Sequence, residues 1–275
     1  MRIPLACLAV AVTVAGPLQG FGAFQVERGF WPNDLRLFPL TDVTSAPRAV
    51  DGAAATGFAY EPMVAAPAAV GRLPITSSVD LAALDEMLRG PKGLRQQWTK
   101  APELVVLAPV MEYHLGEPTE FVATAEQMTG AEMEELVSDL TVALRLLSGD
   151  TFEQFAAIHH ESARAGANVR VVRQGQIVVG RYRGMQALVN TIGLGGRTAR
   201  SDGTISGGAI VLDSEYDRTN TMRRLLRTHE LGHALGYNHV QSRASIMNAH
   251  IGTEPTEFDR AAIMTAINTP PRHPQ

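Results

Sequence analysis

His229-Glu230-Leu231-Gly232-His233-Ala234-Leu235-Gly236-Tyr237-Asn238-His239 sets three imidazoles and one carboxylate in the pattern H-E-x-x-H-x-x-G-x-x-H. Residues four apart on a helix lie one above the other on the same face. His229 and His233 can therefore aim ring nitrogens at one point. Glu230 is rotated off that ligand line, so its carboxylate can reach a metal-bound water without binding the metal. Gly236 lets the chain leave the helix through a left-handed conformation that other residues resist. The reversed chain then returns His239 as a third donor. Three protein donors leave a fourth position open, which is the catalytic zinc arrangement and not the closed structural one. A lone His pair at this spacing is more often a solvated or core pair. Glu230, Gly236 and His239 together shift the balance to metal, and a structural site needs no base at Glu230.

The extended motif resembles that of the metzincin metallopeptidases. Shortly after it comes Ser245-Ile246-Met247-Asn248, in which Met247 matches the methionine of the metzincin Met-turn beneath the ligands. Within that group the sequence is most similar to matrixin-type catalytic domains: Phe258-Asp259-Arg260-Ala261-Ala262-Ile263, followed by Ile267, resembles the start of their last helix. The likeness spans roughly residues 101–270, with firm motifs from 229 to 247.

The resemblance implies an α+β fold, a metzincin-like catalytic domain. A mixed twisted sheet and two long helices would lie above a zinc cleft, with a small C-terminal subdomain starting at Gly236. It implies Zn2+ as cofactor on His229, His233 and His239, Glu230 as general base and Met247 as a structural residue. It also implies a protein or peptide substrate lying antiparallel to an edge strand, for which Ala187 to Leu194 is the candidate. The loop from Asn248 to Glu257 would wall the pocket past the scissile bond. Two positions depart from the matrixin pattern: Val240 stands where Ser is usual, and Asn248 where Tyr is frequent. The leading expectation is an exported zinc endopeptidase. The competing one is a metal-scaffolded binding or adhesion protein with little or no peptidase activity.

Composition sets the frame. A length of 275 residues suits one main domain plus extra segments, and 45% hydrophobic residues are ample for a core. The net charge of −4 gives no reason to expect nucleic acid. Arg223, Arg224 and Arg227 read as the solvated face of the active-site helix. The N-terminus reads as a signal peptide over residues 1–22: Arg2 is the positive start, and Ile3 to Ala15 is apolar but too short to span a bilayer. A secreted or periplasmic location follows, with no stable membrane insertion after signal removal. Cys7 is the only cysteine, so no thiol is left to serve as a latency switch.

Residues 23–100 are rich in Ala, Pro and Gly and read as an N-terminal segment, a linker or a pro-segment. If it covers the cleft, Asp34, Asp42 or Asp51 is the carboxylate to occupy the open position. Asp80 to Leu88 is a short helix candidate within it. Residues 101–275 form the catalytic domain. Leu104 to Val110 reads as a buried strand that Pro109 ends or places at an edge. Thr129 and Glu132 make a capping box for a helix with Met133, Leu136, Val137, Leu140, Leu144 and Leu147 as its apolar stripe and Gly149 as its stop. Strands are expected at 152–158, 169–173, 177–182, 187–194 and 209–213. The metal helix should begin near Thr221, capped by Asn220 or Thr221. His159 and His160 adjoin on a strand and point to opposite faces, and His114 and His250 read as surface residues. The Gly-rich run 193–203 lacks the Lys of a phosphate loop and reads as a flexible connector.

Overall fold

The computed structural model describes residues 78–90, 93–114, 120–185, 191–250 and 254–268. The expected signal peptide and most of the Ala/Pro-rich segment lie outside the described residues, as do Asp34, Asp42 and Asp51. The elements in chain order are α1 (Ser78–Leu88), β1 (Glu103–Leu107), β2 (Pro109–Glu112), β3 (Glu120–Gln127), α2 (Gly130–Leu147), β4 (Ile158–Glu161), β5 (Asn168–Arg170), β6 (Gln176–Arg183), β7 (Gly193–Ala199), β8 (Ile205–Asp213), α3 (Ser214–Thr219), α4 (Arg223–Leu235) and α5 (Glu257–Asn268). The chain is α+β. Among the described residues no helix is long and apolar enough to cross a membrane.

The eight strands form one mixed, curled sheet. β4, β1, β6 and β8 run parallel in that spatial order, and β7 closes the row antiparallel to β8. Parallel strands are covered on both faces, which is why Leu104-Val105-Val106-Leu107 is a continuous apolar run and not an alternating one. Past Ala108 the chain resumes as β2, with Pro109 as its first residue. β2 pairs with the far end of β6, and β3 and β5 extend the sheet beyond it antiparallel. Pro109 thus divides one strand path into two partnerships. β3 was not evident from sequence, although Phe121 and Ala123 alternate inward on it.

The capping box of α2 is present: Glu132 N donates to Thr129 Oγ1 at 3.2 Å, and Thr129 N donates to Glu132 Oε2 at 2.8 Å. Leu136, Leu140, Leu144 and Leu147 bury their stripe completely, each contributing about 1.5–3 kcal/mol. The strand expected over 152–158 is displaced to 158–161. Phe152 N is taken by Ser148 Oγ at 3.1 Å, and Ala156 N by the Pro102 carbonyl at 2.9 Å, so that stretch turns where a ladder was expected. The expected strand at 169–173 is shorter, 168–170. α1 and the chain to Trp98, placed by composition in the N-terminal segment, contribute Ala83, Met87 and Trp98 to the same core as the sheet.

Two further expectations are corrected. The Gly-rich run is no flexible connector: residues 193–199 are β7, paired over its length with β8. The edge-strand candidate 187–194 accordingly moves to 193–199, with residues 186–190 outside the described set.

Candidate metal centre

α4 packs against β7, β8 and α2. Its N-cap is Met222, without a side-chain cap bond, and neither expected cap, Asn220 or Thr221, holds that place; Asn220 Oδ1 instead accepts from Met222 N at 2.8 Å. Of the three arginines expected on a solvated face, Arg224 is exposed and Arg223 half-buried, while Arg227 is withdrawn from water. Arg223 Nη2 lies 2.6 Å from Glu135 Oε1, and Arg224 Nε lies 3.0 Å from Asp139 Oδ1. Arg227 is fully buried between Asp217 (2.7 Å) and Asp139 (2.8 Å). The carboxylates of α2 and α3 pair with these cations and draw Arg227 inward, and the opposite side of α4 is left to face the sheet edge.

That side carries His229, Glu230 and His233. Gly236 ends the helix at φ 116°, a left-handed conformation, and its N–H donates to the His233 carbonyl at 3.2 Å. His239 returns from this turn. The Nε2 of His233 lies 3.1 Å from that of His229 and 3.0 Å from that of His239. His229 Nδ1 donates to the Ile246 carbonyl at 2.7 Å, and His233 Nδ1 to the Tyr237 carbonyl at 2.9 Å. A carbonyl only accepts, so both rings carry their proton on Nδ1 and turn an Nε2 lone pair to the common centre.

Burial, followed for His233 and His239 by the charges of neighbouring histidines, lowers all three pKa values. His229 falls to about 4 despite its bond to Ile246, His239 to about 3, and His233 well below its ordinary value. The rings are therefore neutral at neutral pH, the state a metal requires. An ion 2.0–2.1 Å from three tetrahedral nitrogen donors needs them about 3.3 Å apart. The observed spacings of 3.0 and 3.1 Å fit that demand closely. The neutral ring nitrogens brought this near one another, with the lone pairs of His229 and His233 turned inward, make a donor set that suits a cation. Among the described residues this is the one cluster that can hold a metal ion.

Glu230 is fully buried on the α4 face toward β7. A Cβ at Gly195 would stand 2.2 Å from the Glu230 carbonyl oxygen, so the glycines of β7 permit strand and helix to approach. β7 pairs on one side with β8 and, among the described residues, has no strand on its other side.

Below the histidine cluster, Met247 is fully buried, and its carbonyl accepts from Val240 N at 2.9 Å. A Cβ on Gly232 would come 2.5 Å from Met247 Sδ, so the sulfur lies directly against the helix between His229 and His233. Asn248 holds the turn itself: Oδ1 accepts from Ser245 N at 2.9 Å, and Nδ2 donates to the carbonyls of Val240 (2.7 Å) and Arg243 (2.8 Å). Its departure from the matrixin pattern thus has a local structural role.

The structure gathers His229, His233 and His239, with Glu230 the next residue after His229 on the same helix, its carboxylate buried toward β7, and Met247 against that helix. His159, His160, His114 and His250 are all exposed and outside the cluster. The pocket-wall loop expected at 248–257 is described only in part, since 251–253 lie outside the described residues. Arg197, Asp259 and Gly193 are supporting residues that sequence reasoning did not assign. An arginine inside the apolar stretch Gly193-Leu194-Gly195-Gly196-Arg197 was the one available signal, because a charge there must find several acceptors. No known family model matches this chain, and no curated protein matches its sequence.

Proposed function

We propose that this chain is an exported zinc-dependent endopeptidase of metzincin type, closest to matrixin-type catalytic domains. The observation that carries the proposal is the convergence of three neutral imidazole nitrogens, two of them from a helix that also carries the buried carboxylate of Glu230. An all-imidazole donor set suits zinc, and three donors with an adjacent carboxylate are the parts of a hydrolytic site. The position of β7 at the end of the row of described strands supports an extended peptide as substrate, because an edge strand can pair with another strand.

His229, His233 and His239 would hold the ion through Nε2. Bound zinc supplies Lewis acidity toward a water molecule and a substrate carbonyl. Glu230 accepts the proton of the attacking water and passes it to the departing amine. Its burial keeps that proton out of bulk solvent. The Ile246 and Tyr237 carbonyls hold the rings of His229 and His233 in orientation, so the donor set need not reorganise. None of these roles requires a Ser, Cys or Thr nucleophile, and no acyl-enzyme is expected.

Glu230→Gln tests the proposal. The purified variant should keep stoichiometric zinc while cleavage of an unfolded, casein-like substrate falls at least about 10²-fold, and a chelator should abolish cleavage by the parent protein. Undiminished cleavage by the variant would refute the mechanism. Zinc binding without any cleavage by the parent would favour the metal-scaffolded binding protein instead.

A further inference from the structure

Arg197 on β7 is buried, with 9% of its surface exposed, and its guanidinium reaches three separate pieces of chain. Nε donates to Gln96 Oε1 at 2.6 Å. Nη1 donates to the carbonyls of His233 at 3.0 Å and Tyr237 at 3.4 Å. Nη2 donates to Asn238 Oδ1 at 2.9 Å. Thus one planar fork touches the second donor residue and both residues that immediately precede the third. The carbonyls at the end of a helix lack intrahelical partners and carry partial negative charge, so a fixed cation is stabilised there.

The Tyr237 carbonyl also receives the ring N–H of His233. One oxygen therefore ties the His233 ring to the loop leading to His239, and Arg197 holds that oxygen from the β7 side. From the opposite side Asn238 is held by α1 and its continuation: its N–H donates to the Met87 carbonyl at 2.9 Å, and its Nδ2 to the Arg89 carbonyl at 2.8 Å. The segment between the two donors is clamped between the sheet edge and α1. Arginine suits the clamp because its donors are rigid and spread in one plane, whereas lysine offers a single mobile point.

We propose that Arg197 is a positioning residue that fixes the distance between His233 and His239 and so sets how tightly the centre holds its ion. This rests on the metal-centre reading above.

The test uses the full chain with Co2+ and Zn2+ as probes. Affinity is read by competition with a chromophoric chelator, and the visible bands of the Co2+ form report donor geometry. Arg197→Met fills similar volume without donors and should weaken binding of both ions about 10–100-fold with altered cobalt bands. Arg197→Lys should recover part of the loss, and Asn238→Ala should shift affinity in the same direction by less. A residue that only stabilises the fold would lower the unfolding temperature of the metal-free protein and leave cobalt affinity and bands unchanged; that result overturns the proposal. If Arg197→Met does not fold, parent-like affinity in both Arg197→Lys and Asn238→Ala overturns it equally. A parent protein that binds neither ion overturns the metal-centre reading as well, whereas a parent that binds both beside unaltered variants removes only the role of Arg197.

Discussion

A Cβ on Gly193 would stand 2.5 Å from Oε1 of Glu230, so strand β7 and helix α4 meet at the carboxylate with no room for a side chain. The same position is 2.6 Å from Cδ1 of Leu226. Gly193→Ala must therefore push the Glu230 carboxylate aside, since a flexible side chain yields before a packed leucine does. Misplacing a catalytic group by about 1 Å can cost about 10²-fold. The variant should keep its zinc content and lose peptide cleavage to about that extent, as read by metal analysis and kcat/KM. Cleavage at the parent rate would show that Glu230 has slack here, and loss of zinc would mean that the helix itself had moved.

Asp259 supports the turn under His229. Its Oδ2 accepts from Ile246 N at 3.0 Å, Thr256 N at 2.7 Å and Thr256 Oγ1 at 2.8 Å, and its Oδ1 accepts from Ser245 Oγ. The other face of the Ile246 peptide is the carbonyl that receives the His229 ring. Asp259→Asn would set an NH₂ group against donors in a site that is 1% exposed. It should cost about 2–4 kcal/mol of stability in denaturant unfolding, and metal affinity should fall with it. A neutral outcome would mean that the turn is held by Asn248 alone.

Behind the metal centre, Asp217 accepts from both Arg181 (2.8 Å) and Arg227 (2.7 Å), all three groups being almost completely buried. Removing one member leaves an uncompensated charge away from water. Arg227→Met and Asp217→Asn should each cost about 3–5 kcal/mol. The double variant should cost clearly less than the two together, because the second change removes the partner that the first orphaned. Additive losses in a double-mutant cycle would show that water already screens the pair.

The centre was legible in sequence because its spacing is local: helical periodicity places His229 above His233, and Gly236 marks the turn to His239. Thr129 with Glu132 was legible for the same reason. What sequence could not carry was anything decided by distant neighbours. Arg227 looks like part of a solvated face until α3 brings up Asp217 and α2 brings up Asp139, 88 positions away along the chain. The glycines of β7 look like a flexible run until α4 lies against them. Pro109 divides a strand path that β6 borders on both sides of the break, because the other partner changes from β4 to β3, and α1 looks like part of a linker until Met87 enters the core. Periodicity reports which face is apolar, while the identity of the covering element depends on topology.

Acidity should act on the metal-free protein through the three histidines. Unfolded, each titrates near 6.5. Folded, burial holds His229 at about 4, and burial followed by the charges of neighbouring histidines holds His239 at about 3 and His233 well below its ordinary value. Between about pH 6.5 and 4 the unfolded chain therefore binds protons that the folded chain refuses. Stability rises with pH wherever the unfolded state holds more protons, so this contribution is complete above about pH 7 and is lost as pH falls through 6.5. Each histidine removes about 1.4 kcal/mol per pH unit in that window. Denaturant midpoints of the metal-free protein should thus fall steeply from pH 6.5 to 4.5, and His239→Gln should make the slope shallower by about one histidine's share. Carboxylates that titrate near the lower end contribute equally to parent and variant, so the difference between the two curves isolates the ring. Parallel curves would mean that His239 is solvated enough to protonate in the folded state, and the close approach of its Nε2 to that of His233 would then not persist in solution.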